Sequence, residues 1–498
     1  MGIKSALSRP LAQFVIHQQK KWYNNPGTIQ KKLLINLLRR AAGTAFGKEH
    51  GFSRINNYSE YKNAVSIRDY EDFRPYIDKI IKGESDILWT GKPLYFAKTS
   101  GTTSGIKYIP ISQESISNHI NGARDALLNY IADTGNASFL DKKLIFLSGS
   151  PTLEKKNGIH IGRLSGIVNH HVPSYLRKNQ LPTYDVNCIE DWERKLDQIV
   201  DQTLPSPMAL ISGIPPWVQM YFDKITERTG KPVKDVFPEF SLFVYGGVNF
   251  APYQKRLFDS IGKKVDSVET YPASEGFIAF QNVQEDPSLL LLLNSGIFYE
   301  FVPADRYFSS DPPRLTIEEV ELNVNYALIL TNNAGLWSYS IGDTIKFVSR
   351  NPYKILVTGR IKHFISAFGE HVIGEEVEKA MDITTGLFPE TRITEFTVAP
   401  QVTPEAGLPY HEWLIEFGQE PHDADAFIST LDKELVRLNT YYKDLITGNI
   451  LQRLKITKLQ KDAFRNYMKE QGKLGGQNKV PRLSNDRTFA EGLLKFKQ

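Results

Sequence analysis

Residues 218–230 read VQMYFDKITERTG, and residues 240–247 read FSLFVYGG. The first is a helical stretch that stops at glycine. The second is a short apolar segment that closes on two glycines, and KKLIFLSGS at 142–150 has the same character upstream. Short apolar segments alternating with helical stretches are the pattern of an α/β sheet covered by helices, whose ligands bind at strand ends. This alternation sets the fold class.

Working toward the N-terminus, IQKKLLINLLRRAAGTAFG at 29–47 repeats its apolar residues at three and four and ends at Gly43 and Gly47. It predicts helical scaffold over the first ninety residues. From Pro93 to Ser112 the pattern becomes strand, glycine-rich loop, strand, and Ser112 with Glu114 opens a helix toward Tyr130. Leu289 to Leu293 reads as a buried strand. After Glu318 come strand pairs, EVELNVNYALILTN and TIKFVSRNPYKILVTG, with turn-forming Asn332, Asn333 and Gly335 between them. They form a β-rich subdomain. Beyond Gly359 lie a helix, EEVEKAMD, a strand, HEWLIEF, a long helix from Ala424 to about Tyr442, and a Gly- and Lys-rich tail. The expected architecture is therefore α/β, with a large N-terminal domain over 1–359 and a small α+β domain over 360–498.

At 498 residues the chain exceeds a single hydrophobic core, which stops growing at roughly 250–300 residues. Lys plus Arg at 60 against Asp plus Glu at 56 leaves +4 over the whole chain, too weak a field to imply nucleic acid or an anionic membrane as partner. No apolar run approaches the roughly 20 residues that span a bilayer. The N-terminal MGIKSALSRPLAQF lacks an apolar signal core, and Ala6 stands where a myristoylation signal requires Ser or Thr, so a cytoplasmic protein is expected. The single cysteine, Cys188, excludes internal disulfides and Cys-rich zinc sites and takes no chemical role.

KTSGTTSGIKY, Lys98 to Tyr108, has the composition of a phosphate cradle: two glycines and five Ser/Thr residues let backbone N–H and side-chain O–H groups converge on oxygens. An ordinary Gly/Ser/Thr surface loop has the same composition. Three residues separate Gly101 from Gly105, so this is not a Walker loop, and a kinase or GTPase is disfavoured. In ETYPASEGF, Ser274 and Glu275 follow a Pro-containing turn after KKVDSVE, and Glu275 is either a one-carboxylate Mg²⁺ ligand or a solvated acid. In YSIGDTIKF, Asp343 follows Gly342 at a turn between strands, where it serves the turn or accepts both hydroxyls of a ribose. GRIKHFISAFGEHV places Arg360 and Lys362 at the domain boundary. GKLGGQNKVPRL carries Lys473 and Lys479 on a tail able to swing a cation into a site. The pair His170 and His171 reads as surface or loop, and no Gly-x-Ser-x-Gly elbow is present.

The order of these elements resembles the adenylate-forming superfamily of acyl-CoA synthetases, peptide-synthetase adenylation domains and luciferases. Within it the chain resembles the Gretchen Hagen Three family of acyl acid amido synthetases. AFGKEHGFSRI, SIRDYEDFRPYIDKIIKGE, FAKTSGTTSG, YGGVNFAPY, YPASEG, GLWSYSIGD, GRIKHFISAFGEHVIGEEVE, HEWLIEF and GGQNKVPRL carry the likeness, in the family's order, from about Thr44 to Leu483.

The resemblance implies a role at each matching position. Ser100, Thr102 and Thr103 would lie in the phosphate loop, with Lys107 supporting the leaving pyrophosphate. Tyr245, Gly246 and Gly247 would line the adenine and acyl pocket. Ala273 and Ser274 would pack near the adenine and α-phosphate, with Glu275 toward Mg²⁺. Asp343 would hold the ribose of ATP, and Arg360 would mark a hinge. For the mobile lysine, the Lys-x-Pro-Arg context favours Lys479 over Lys473. Members that bind a hormone carboxylate use an arginine on the helix after the phosphate loop, where Arg124 is the nearby candidate. The implied reaction joins a carboxylic acid, as its acyl-AMP, to an amine or amino acid. The alternatives are an acyl-CoA ligase using the same adenylate and a non-catalytic nucleotide-binding protein on this fold. A monomer is the family's default.

Overall fold

The computed structural model describes residues 2–498 except 103, 104, 248, 249, 362, 363, 366, 369, 371, 472–479 and 485. The chain divides into two compact units. The first comprises residues 1–99, 107–190 and 194–361, and the second comprises 100–106, 191–193 and 362–498.

In chain order the strands running to residue 360 are β1 (Tyr95–Thr102), β2 (Gly105–Ile111), β3 (Lys143–Phe146), β4 (Glu154–Lys156), β5 (Ile159–Gly162), β6 (Gln180–Leu181), β7 (Met208–Ser212) and β8 (Leu242–Gly246), then β9 (Asp266–Ala273), β10 (Gly276–Gln281), β11 (Leu289–Leu291), β12 (Ile297–Pro303), β13 (Asn325–Asn332), β14 (Tyr339–Arg350) and β15 (Tyr353–Arg360). Eleven of them form one sheet in the order β12-β13-β14-β15-β11-β10-β9-β8-β7-β3-β6. From β9 to β6 the neighbours run parallel. From β9 to β12 they run antiparallel. The β-rich stretch after Glu318 thus belongs to the antiparallel half of the same sheet as FSLFVYGG.

Each half follows from its sequence. Parallel neighbours need crossovers, and helices Pro215–Thr229 and Ala251–Ile261 supply them between β7, β8 and β9, ending at Gly230 and Gly262 in the left-handed conformation. Antiparallel neighbours need only turns. The turn after β13 uses Asn332, whose side-chain oxygen accepts from the N–H groups of Ala334 and Leu336, and Gly335 at φ +97°. EVELN, expected as strand, is not: β13 begins at Asn325. Asn323 there adopts a positive φ of 63°, which extended backbone does not accommodate.

N-terminal helices cover the antiparallel half, and the helix Gln113–Thr134, opened by the expected Ser112 cap, packs on β9 and β10. Gln30 on the helix Pro26–Ala41 ties the chain after β11 to β12, donating to the carbonyls of Leu293 and Ile297 and accepting from the Tyr299 N–H. Leu289 to Leu293 is buried throughout, as its apolar run predicts. A smaller sheet, β2-β1-β5-β4, carries the glycine-rich stretch.

In the second unit, β18 (Arg392–Gln401), β19 (Tyr410–Gln419) and β20 (Lys455–Leu459) form a three-stranded sheet, preceded by the short pair β16 (Phe364–Ile365) and β17 (Val372–Ile373). The long helix expected from Ala424 is two helices, Ala424–Leu438 and Thr440–Thr447. Asn439 breaks it. Its backbone is extended, its side-chain oxygen caps the second helix through the Tyr442 N–H, and its amide donates to Glu376. Among the described residues no helix is long and apolar enough to cross a membrane.

Candidate active site

β8, β9 and β14 deliver the residues singled out in the sequence. Thr270 donates from its hydroxyl to the Tyr245 carbonyl at 2.9 Å, and a Cβ on Gly246 would stand 2.3 Å from the Thr270 carbonyl oxygen. No larger residue fits Gly246's place, and Gly247 then turns at φ +83°. Tyr245 is buried, its ring 4.3 Å from that of Phe250 and its hydroxyl donating to Glu269 at 3.4 Å.

Ser274 and Glu275 do not follow a Pro-containing turn; they are the turn. β9 runs through Pro272 and Ala273, with Pro272 paired to Phe277 and Ala273 to Gly276. Ser274 and Glu275 join the two strands. Glu275 is buried to 9% exposure, and its carbonyl accepts the Asn332 amide at 2.7 Å.

Asp343 also differs from expectation. It lies inside β14, where Ile341, Gly342 and Asp343 together face the single Leu328 of β13. Gly342 at φ +85° makes this bulge, which re-aims the side chain that follows. Across β14 the backbone of Asp343 pairs with Arg360 at the end of β15. Its carboxylate accepts the Tyr271 hydroxyl at 2.5 Å.

Tyr271 and Glu269 escaped sequence reading. Both point to one face of β9, since side chains two apart share a face and the pairing of β9 with β8 is regular through Thr270. The period-two signal was present in ETYPA and was hidden by taking proline as a turn. Burial pushes the Glu269 carboxyl up to about 7, only partly offset by the Tyr245 hydroxyl. Burial, and then the charge of Glu269, raises Tyr245 in turn.

The glycine-rich stretch is strand through Thr102 and again from Gly105. Pairing of Tyr95 to Ala97 with β5 extends the first strand. Lys107 lies over the Tyr70 ring at 5.6 Å, beside the Tyr108 N–H that donates to the Tyr70 hydroxyl. The base of this hairpin is tied toward Glu275: the Ser112 hydroxyl donates to the Asn333 carbonyl, next to Asn332. Of Ser100, Thr102 and Arg360 the backbone alone is described, and Thr103, Lys362, Lys473 and Lys479 lie outside the described residues.

Arg124 is placed elsewhere. It is half exposed and paired with Asp125 at 2.7 Å, two positions from the Gly122 that packs against Phe277 and so on another face of its helix. His170 is exposed and bonded to the Pro151 carbonyl, and His171 is half-buried and bonded to the Tyr95 hydroxyl.

Models of the GH3 family match its N-terminal domain at residues 15–186, its central domain at 290–360 and its C-terminal domain at 375–488. The chain is 23% identical over 400 residues to the jasmonoyl-L-amino acid synthetase JAR4 of Nicotiana attenuata, covering 67% of this chain and 68% of that protein. Among solved structures, a GH3.15 acyl acid amido synthetase superposes with a TM-score of 0.60 at 17% identity, over 97% of this chain and 96% of that one. A 2-hydroxyisobutyryl-CoA ligase superposes with a TM-score of 0.61 at 13% identity, over 95% and 93%. These two likenesses establish a shared fold across amide- and thioester-forming ligases. The family models, matched in order over most of the length, decide between the branches: the chain belongs to the GH3 family of acyl acid amido synthetases.

Proposed function

We propose that this ligase activates a small carboxylic acid with ATP as its acyl-AMP and transfers the acyl group to an amino acid, with Asp343 as the ribose anchor. The observation that supports the anchor is the bulge at Gly342, which turns the Asp343 carboxylate onto the Tyr271 hydroxyl. A carboxylate held this way is presented in a fixed direction to a vicinal diol. Tyr245, Gly246 and Gly247 would line the adenine and acyl pocket, with Ala273 and Ser274 beside the adenine and α-phosphate.

The acid's carboxylate attacks the α-phosphate in line, and pyrophosphate leaves toward Lys107 and the glycine-rich stretch of Ser100, Thr102 and Thr103. Lys479 would offset charge at the α-phosphate. Positioning and electrostatics carry the step. The amine then attacks the acyl carbonyl and expels AMP, with Arg360 as the pivot between an N-terminal domain over 1–359 and a C-terminal one over 360–498.

Mg²⁺ fits this donor set. Among the described residues there is no cluster of three or more His, Cys, Asp or Glu side chains able to cage a metal. Magnesium in nucleotide sites takes one or two carboxylates and fills its shell from phosphate and water. Glu275 would hold it, and the ion would supply charge neutralisation to the phosphates. A cytoplasmic monomer with no nucleic-acid partner completes the reading.

The test is mass spectrometry of wild type and Asp343→Ala with ATP, Mg²⁺, a pool of aryl and hormone-like acids and the common amino acids. AMP with a new amide is expected from wild type. Asp343→Ala should bind ATP about 10- to 100-fold more weakly, the loss of charge-assisted hydrogen bonds. A coenzyme A thioester in place of the amide would move the acceptor, and unchanged ATP affinity in Asp343→Ala would remove the ribose assignment.

A further inference from the structure

The helix Ile3–Tyr23 buries Ser5, Ser8, Ala12, Gln19 and Trp22 and leaves four large apolar side chains in water. Ile3 is 80% exposed, Leu7 67%, Leu11 48% and Phe14 59%. Spacings of four, four and three put them on one stripe of the helix. The opposite face is well anchored. Ser5 donates to the Ala137 carbonyl, Asn129 to Gln19, and Arg9 to the Gly135 carbonyl.

The charge on this helix is of one sign. It carries Lys4, Arg9, Lys20 and Lys21 and no Asp or Glu. At 100° per residue Lys4 borders one edge of the stripe, and His17 and Lys21 border the other. Near-neutrality of the whole chain excludes a global positive field, not this local one. The family's N-terminal model starts at residue 15, so the stripe precedes the stretch that carries the shared chemistry.

We infer that this helix lies in the plane of an anionic phospholipid surface, with Ile3, Leu7, Leu11 and Phe14 in the headgroup–acyl boundary. An apolar stripe edged by cations, on a helix too polar to span, is the pattern of an interfacial element. Each basic residue near an anionic leaflet adds attraction.

The experiment is sedimentation of the full chain with vesicles of phosphatidylcholine and phosphatidylglycerol in equal parts, and with phosphatidylcholine alone. Wild type should pellet with the mixed vesicles, and added salt should release it. A variant with Ile3, Leu7, Leu11 and Phe14 each changed to Gln should bind at least about tenfold more weakly. Lys4→Glu with Lys21→Glu should lose a similar factor on mixed vesicles and nothing on neutral ones. All four apolar positions are at the surface, and equal thermal melts of the variants confirm that folding is not the cause. Wild type that fails to pellet, or pellets no better than the Gln variant, overturns the inference. So does a concentration-dependent dimer in wild type that the Gln variant abolishes.

Discussion

Two glutamates of the large sheet, the fully buried Glu300 on β12 and the half-buried Glu269 on β9, stand in opposite circumstances. Glu300 on β12 is fully buried and fully partnered. Its carboxylate accepts from Tyr58, from Arg314 at 2.7 Å and from Ser338 at 2.7 Å. Arg314 spends its remaining donors on the carbonyls of Lys62 and Val65 and on Ser338. Glu269 on β9, among the described residues, receives one hydroxyl hydrogen bond, from Tyr245 at 3.4 Å. The first is a charge pair that fixes where the N-terminal helices meet the antiparallel half. The second is a carboxyl kept short of partners at the edge of the candidate site, where an incoming group can find it.

The contrast can be broken at three strengths. Arg314→Leu leaves Glu300 buried without its cation, and urea unfolding should show a loss of about 3–5 kcal/mol. A loss below about 1 kcal/mol would mean that Glu300 is neutral or hydrated, and the two glutamates would then be alike.

Glu269→Gln should act through pH. The native carboxyl, lifted to about 7, keeps its proton in a range where the unfolded chain, near 4.5, has released it. Stability from this group is therefore full below pH 4.5 and is lost as pH rises through 7, by at most roughly 3 kcal/mol. Thermal melts of Glu269→Gln should exceed wild type above pH 7 and converge with it at pH 4.5. Parallel curves would place Glu269 in contact with water.

The smallest effect sharpens the comparison. Tyr245→Phe removes the hydroxyl that holds the Glu269 carboxyl down, so that carboxyl should titrate still higher. Because the hydrogen bond is long, the cost in stability should stay under about 1 kcal/mol. A carboxyl signal followed by NMR that moves down in Tyr245→Phe would show that another donor holds Glu269.

How much of this the sequence disclosed depended on the range of the interaction. Alternation of FSLFVYGG with its helices set the α/β class because periodicity is local, and the Ser112 cap was equally plain. The break at Asn439 was not, because its amide is held by Glu376, 63 positions away. The resemblance supplied the positions of Asp343 and Glu275 but not their setting. A bulge needs the register of β13, and a two-residue turn needs β10 opposite β9. Register is a pairing property that no single strand carries. The Glu300–Arg314 network was silent for the same reason, since its members span Tyr58 to Ser338.

The position of β15 between β14 and β11 has a consequence in time. Leu289–Leu291 leaves the ribosome with one edge unpaired and stays so until Lys354 and Ile355 are made. At typical elongation rates that interval is several seconds, during which an apolar edge is open to other chains. Asp343 likewise waits for Arg360 to complete its backbone pairing. The strand that closes the sheet is therefore the strand that finishes the bulge, and an incomplete nascent chain has neither a closed sheet nor a formed nucleotide anchor.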